Sequence, residues 1–448
     1  MKRLLTLTLC ITAALKGFTQ APTAGQTYSF SVADCINYAF EHKDSVINAG
    51  LDVKSADYKV KETIGQGLPQ INGSASFQDY LKVPTTLLPG EFFGAPAGTF
   101  IPVKFGVKYQ SNLGVSATQL LFDPSYIVGL QGRKTYKELY NRAYTRSKID
   151  AQVNVTKAYY QVLVSNEQIK LLDANIAQLK QQVDQTTAQN KQGFVEKIDV
   201  DRIAVQYNNL VTTRENTIRL LALNYQLLKF QIGMPIEYNL ILKENLSDVN
   251  INGDVAETVT DTTFYRRRIE YGLTETNLQL SRYDLKRIKG QFLPTLSANA
   301  SYANSYQNNS FGSLYSTSFP SSYIGLTLNV PIFSGFQRTN RVKQYAITVQ
   351  KNENSLNGLK NALNLQASQA KIVYFNGLQS LNNQKRNQEL AREVLRVSKI
   401  KYQQGVGSSI EVTQAQTSLE DADNKYVQSL YDALVSKVDL DRAYGKIQ

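Results

Sequence analysis

The sequence predicts a mostly α-helical chain with short β-hairpins, built as two copies of one half. Three observations predict it. The first is proline placement: none falls between Pro124 and Pro235 and none after Pro331, while nine of the eleven crowd into 69–124 and 294–331. Long proline-free stretches rich in Leu, Gln, Ala, Lys and Glu favour helix, and the crowded zones carry the Gly, Ser, Thr and aromatic residues of strands and turns. The second is a repeated junction, "GQGLPQINGSASF" from Gly65 and "GQFLPTLSANASY" from Gly290. The third is a repeated turn, "NKQGFVEKIDVDRIAVQ" from Asn190 and "YQQGVGSSIEVTQAQ" from Tyr402. Aligning Gly193 with Gly405 also aligns Ile198 with Ile410, Asp199 with Glu411 and Val200 with Val412, and puts Gly233 on Gly445. Two copies are too few for a solenoid, so a duplicated protomer fits.

The elements follow in order. Residues 1–20 read as a secretory signal: Lys2 and Arg3 precede an apolar run from Leu4 to Leu15 that is too short to span a bilayer. Cys10 falls within that run, and Leu9 before it argues against lipoprotein anchoring. Segment 21–64 contains a first short helix, 33–64. Segment 65–123 forms a first hairpin and 124–233 a long helix, a turn and a return helix. "IKLLDANIAQLKQQVDQ" places Ile169, Leu172, Ile176, Leu179 and Val183 at three- and four-residue steps. Roughly 65 such residues extend about 100 Å, which calls for coiled-coil packing. Residues 234–263 form a connector. The second half then repeats the pattern as helix 264–290, hairpin 291–333, and long helix, turn and return helix 334–448.

After each Leu-Pro step the period changes from 3.6 to 2. Ile71, Gly73, Ala75 and Phe77 alternate with Asn72, Ser74, Ser76 and Gln78, and Leu296, Ala298, Ala300 and Tyr302 alternate with Ser297, Asn299 and Ser301. Proline stops a helix at a defined residue, so Pro69 and Pro294 would each carry the chain from helix to strand. Such strands suit either a sheet packed on a helix or a membrane wall, apolar to lipid and polar to lumen. Two hairpins supply four strands, whereas membrane barrels need about eight or more, so a barrel would have to be shared between chains.

Composition excludes several functions. The formal charge of +12 is spread along helical segments rather than clustered with aromatics, which argues against a nucleic-acid partner. His42 is the only histidine, and Cys35 would be the one cysteine left after signal removal. Histidine-based triads, His/Cys metal clusters and disulfides therefore have no material, and no Gly-Lys-Ser/Thr loop occurs. We expect no enzyme, no catalytic or metal residues and no cofactor. The competing class is a secreted or periplasmic coiled-coil structural or adhesive protein, which leaves the paired hairpins unexplained.

The opening "SVADCINYAFEHKDSVINAG", the paired Leu-Pro junctions and the turns ending in "IDV" and "IEV" together resemble the TolC-like outer membrane efflux family. The resemblance implies a homotrimer in the outer membrane, with a shared 12-stranded β-barrel, four strands per chain, and a trimeric α-barrel of long coiled-coil helices crossing the periplasm. It implies a passive exit duct of a tripartite efflux or type I secretion system, opened by a periplasmic adaptor and energised by an inner-membrane transporter of RND or ABC type. Adaptor docking would fall on Gly193, Phe194 and Val195 and on Gly405, Val406, Gly407 and Ser408. A periplasmic aperture would involve a Tyr402–Asp199 latch and an acidic position at Glu411. Gln414 and Gly407 depart from the family's second acid and its arginine latch.

Overall fold

A computed structural model describes residues 27–246, 249 and 263–447. The expected signal segment, Cys10 and most of the second half of the connector lie outside the described residues. In chain order the elements are β1 (Thr27–Phe30), α1 (Val32–His42), α2 (Asp44–Gly65), β2 (Gln70–Asp79), β3 (Thr85–Pro89), β4 (Phe100–Lys104), β5 (Tyr109–Phe122), α3 (Pro124–Lys191), α4 (Lys197–Ile232), β6 (Asn239–Leu242), α5 (Ile269–Gly290), β7 (Thr295–Asn308), β8 (Ser318–Asn329), α6 (Gln337–Gln403) and α7 (Ser409–Ala443). The chain divides into two compact units. One comprises Met1–Asp52, Asn141–Leu273 and Asn357–Gln448, the other Val53–Tyr140 and Thr274–Leu356.

The second unit holds a four-stranded antiparallel sheet in the order β2–β5–β7–β8. Its register lays the two hairpins side by side, so that Ile71, Ala117, Ala300 and Ile324 form one cross-strand row and Asn72, Ser116, Ser301 and Tyr323 the next. Both helix-to-strand junctions are built alike. After α2 the amides of Gly67 and Leu68 donate to Ile64 and Gly65 carbonyls. After α5 the amides of Phe292 and Leu293 donate to Lys289 and Gly290 carbonyls. Pro69 and Pro294 each sit one residue before a strand. The first hairpin is more than the sequence predicts: residues between β2 and β5 form a separate two-stranded ribbon, β3–β4.

In the other unit, two cores repeat the duplication. Tyr159 on α3 is fully buried with Cys35, Ala39, Leu228 and Ile232. Tyr374 on α6 is fully buried with Phe264, Tyr265, Leu440 and Ala443. Strand β1 pairs in parallel with β6 of the connector and closes the first core.

Both short helices depart from expectation in the same way. The helix expected over 33–64 is broken at Lys43, whose backbone is extended, and that expected over 264–290 starts at Ile269 after a 3-10 turn, Phe264–Arg267, and an extended Arg268. The reason is a joint with the end of the return helix. Lys43 Nζ donates to the Phe230 carbonyl at 2.9 Å, and Arg268 Nη1 donates to the Ala443 carbonyl at 3.0 Å. Arg268 thereby supplies the donor to the last carbonyl of its helix, Lys43 adds a second donor to a carbonyl that also accepts from the Gly233 amide, and each cation sits at the negative end of a helix dipole. Arg268 is buried and forms a two-pronged pair with Glu270, both bonds 3.0 Å. Burial alone would raise the Glu270 carboxyl, but Arg268 and Arg442 outweigh it and hold it below its ordinary value. Gly233 closes the first joint at φ +74, and a Cβ there would lie 2.4 Å from the His42 carbonyl oxygen.

Two stability differences should follow. Gly193→Ala meets only the left-handed backbone cost, about 1 kcal/mol, whereas Gly233→Ala adds a backbone collision and should cost about 2 kcal/mol or more. Arg268→Ala removes the two-pronged partner of half-buried Glu270 together with the donor to the Ala443 carbonyl and should cost about 3 kcal/mol, against about 1 kcal/mol for the more exposed Lys43→Ala. Thermal unfolding of the detergent-solubilised variants checks both orderings.

Candidate functional site

Two features bear on function, the turns that join the long helices and the faces of the sheet. The turns are near-copies. Gly193, at φ +77, donates its amide to Asn190 while Phe194 donates to Gln189; Gly405, at φ +75, donates to Tyr402 while Val406 donates to Lys401. This pair of bonds ends a helix through a left-handed glycine. It leaves the following apolar side chain in solvent: Phe194 is 76% exposed and Val406 75%. Val195 is tied down through its carbonyl, which accepts from Asn190 Nδ2 at 2.8 Å. Ser408 caps α7, its Oγ accepting from the Glu411 amide. Glu411 and Gln414 lie exposed one turn apart on α7.

The expected Tyr402–Asp199 hydrogen bond is not made within the chain. Asp199 Oδ1 instead accepts from Ser409 Oγ and, at 3.3 Å, from Arg202 Nη1; the same guanidinium nitrogen donates to Ser409 Oγ at 2.9 Å. Among the described residues Tyr402 Oη is buried without a partner, beside a pocket of about 150 Å³ lined by residues including Gln178, Gln182, Gln185 and Lys399. Burial pushes the Tyr402 phenol up, with the Asp199 charge adding to it, and pushes the Lys399 ammonium down to about 8. The aspartate is thus claimed by the α4–α7 clasp. An i, i+3 Asp199/Arg202 pair is visible in the sequence, but Ser409 as its target is not.

Above this clasp the contacts sort by type. Within each hairpin an apolar seam joins the helices, beside a few polar contacts such as Arg214 to Asp173: Leu172 and Leu179 of α3 pack on Ile203 and Leu210 of α4, and Leu395 of α6 packs on Val412, Ala415 and Leu419 of α7. Between hairpins they are polar. Gln206 Nε2 donates to Thr417 Oγ1 at 3.2 Å and to Glu420 Oε1 at 3.5 Å. Buried Asp423 of α7 accepts from Asn175 of α3 across the hairpins and from Gln388 of α6 within its own, both at 2.7 Å. Only further along does an apolar cluster, Val164 with Val427, Leu430 and Leu434, join the hairpins.

The sheet faces also separate by type. Ile324, Leu326, Leu328, Ile71 and Val115 share one face and stand at least half exposed, with no protein over them. The opposite face carries Asn72, Ser74, Ser116, Asn299, Ser301 and Thr327, with Asn299 Nδ2 donating to Thr327 Oγ1 at 2.9 Å. No helix is long and apolar enough to cross a membrane among the described residues. Among them, too, no group of three or more His, Cys, Asp or Glu could hold a metal ion.

A family model for outer membrane efflux proteins matches residues 35–222 and 274–446, one segment in each half. The chain belongs to the outer membrane efflux protein family. Outer membrane protein TolC of Escherichia coli (strain K12) is 22% identical over 363 residues, 75% of this chain and 70% of its own. The TolC of Vibrio cholerae serotype O1 is 20% identical over 463 residues, spanning 100% of this chain and 96% of its own. Among solved structures, CusC superimposes with a TM-score of 0.74 at 16% identity, over 96% of this chain and 95% of that one, which establishes a shared fold. Membership makes this an outer membrane channel protein of efflux, and the bare apolar face of the sheet is the surface such a protein turns to lipid.

One titration follows from the inter-hairpin contacts. Burial raises the Glu420 carboxyl, Asp423 adds to it, and amide hydrogen bonds from Gln416 and Gln206 oppose it. A folded-state pKa above the unfolded value favours the protonated acid, so this contribution is fully present below the unfolded pKa and is lost as pH rises through the folded one. Glu420→Gln should therefore stabilise the protein at pH 8 and make no difference near pH 4. Parallel denaturation curves across that range read the crossover.

Proposed function

We propose that this chain is one third of an outer membrane efflux conduit. Three copies close one barrel from their four-stranded sheets and continue it as a tunnel of paired long helices. The observation that carries the reading is the sheet itself: two-faced, four strands wide, and with β2 and β8 both unpaired along one edge. An open edge leaves backbone donors and acceptors in hydrocarbon without water, at a cost of several kcal/mol for each unsatisfied group. Joining β8 of one copy to β2 of the next removes every edge, and three copies supply twelve strands.

The conduit is passive. No chemistry is assigned to it; its lumen lowers the barrier to crossing the periplasm and outer membrane. Phe194 and Val406 give a periplasmic adaptor two apolar side chains to bury on rigid turns. The polar contacts between hairpins let the adaptor part them at the tip without exposing a core. An inner-membrane transporter of RND or ABC type supplies the energy.

Native mass spectrometry in detergent should show trimers, and monomers alone would refute the conduit. Ile324→Arg, on the lipid face, should impair outer membrane insertion by about 2–4 kcal/mol, whereas Ser301→Arg, on the luminal face, should insert and shift ion selectivity. Membrane fractionation and bilayer recordings separate the two. Phe194→Asp with Val406→Asp should abolish co-purification with the adaptor while leaving trimers intact.

A further inference from the structure

Within the unit that carries the sheet, α2, α3 and α5 enclose a groove of about 400 Å³, in the size range of small-molecule sites. Its walls are apolar and aromatic: Val60 of α2, Val128, Leu130 and Tyr136 of α3, and Leu280 and Tyr283 of α5. Two glycines of α3 leave it open. A Cβ on Gly132 would reach the Tyr283 ring at 3.5 Å, whereas one on Gly129 would meet nothing within 4 Å and stand in the groove. Glycine weakens a helix interior relative to alanine, and no neighbour among the described residues requires it at 129. The charges are one-sided. Lys59, Arg133 and Arg287 line the groove against one acid, Asp284. Arg287 pairs with Asp284 at 3.2 Å and Lys59 with Glu62 at 2.8 Å. Arg133 makes no ion pair or hydrogen bond among the described residues.

The groove opens on the side of the sheet's polar face. Thr295 and Asn329 continue that face by even steps from Asn299 and Thr327, and they share a pocket with Ser125 of α3. Gly129, Gly132 and Tyr136 follow Ser125 at steps of four, three and four residues, so they lie on the same side of the helix. Copies of the chain meet at the edge strands β2 and β8, while α3 follows β5, an inner strand. The groove therefore opens to the lumen, off the seams. We propose that it is a luminal binding site for amphipathic anions, compounds with an apolar body and one carboxylate or sulfate, and that such compounds are cargo of the conduit. The inference rests on the conduit reading above. The apolar body lies against Val128, Leu280 and the two tyrosine rings. The anionic head pairs with Arg133, whose planar fork takes a carboxylate or sulfate through two parallel hydrogen bonds. A cation on the same apolar body meets like charge instead and is rejected.

The test is block of single-channel current in planar bilayers by decyl sulfate, with decyltrimethylammonium as a control of equal chain length. Decyl sulfate below its critical micelle concentration should reduce the current of the native trimer, and the cation should not. Arg133→Ala should weaken the block about tenfold, as expected for losing one charge-assisted pair. Gly129→Leu, which places a side chain in the groove, should abolish it while trimers persist; if that variant fails to assemble, Arg133→Ala decides alone. Block of equal strength in the native protein and Arg133→Ala, or by both amphiphiles, would put the anion elsewhere and overturn the site. Native trimers that decyl sulfate does not block would overturn it as well, and each of these results leaves the conduit standing. Monomers alone in native mass spectrometry would overturn both.

Discussion

A sheet in hydrocarbon must satisfy every backbone donor and acceptor from within protein, because no water is there to do it. The architecture follows from that constraint once the alternating strands face lipid. Four strands cannot close on themselves, so β2 and β8 must find partners in other copies. The duplication fits this requirement: each half contributes one strand out and one strand back, and each pair is delivered by its own helix-to-strand junction at Pro69 or Pro294. The junctions are alike because each has the same task, stopping a helix and starting a strand.

The helical unit distributes its contacts in a way that separates stability from motion. Apolar burial within each hairpin, at roughly 25 cal/mol per Å², makes splitting a hairpin costly. Between hairpins near the tip the contacts are hydrogen bonds and a clasp of Asp199, Arg202 and Ser409. Partly exposed polar contacts of this kind exchange readily with water and each contribute about 1 kcal/mol or less. The hairpins can therefore part as units. Buried Asp423, held by Asn175 of α3 as well as by Gln388 of its own hairpin, marks the upper limit of that zone, since parting the hairpins would strip one donor from a buried carboxylate. Beyond it the apolar cluster around Leu430 keeps the hairpins together.

Much of this was legible in the sequence because it is local. Period changes, proline stops and left-handed glycine turns are each written within about ten residues, and the repeat in their order exposed the duplication. The helix breaks and the Asp199 contact are long-range. Nothing around Lys43 breaks a helix: the break is imposed by the end of α4, some 190 residues on, and Arg268 answers to the end of α7 in the same way. The resemblance pairs Asp199 with Tyr402, yet within the chain Ser409 donates to that carboxylate. The ribbon was hidden for a different reason. Its strands are short and proline-bearing, and a run such as "TTLLPGEFFGAPAGTFIP" carries no clean alternation against which to set a register.

The central claim is that the tip of a shared conduit is held shut by weak polar contacts between otherwise rigid hairpins. Single-channel conductance in planar bilayers tests it most directly, comparing the native protein with Arg202→Ala combined with Ser409→Ala. The account requires a stable trimer whose conductance rises several-fold when the clasp is removed. A trimer of unchanged conductance would contradict it.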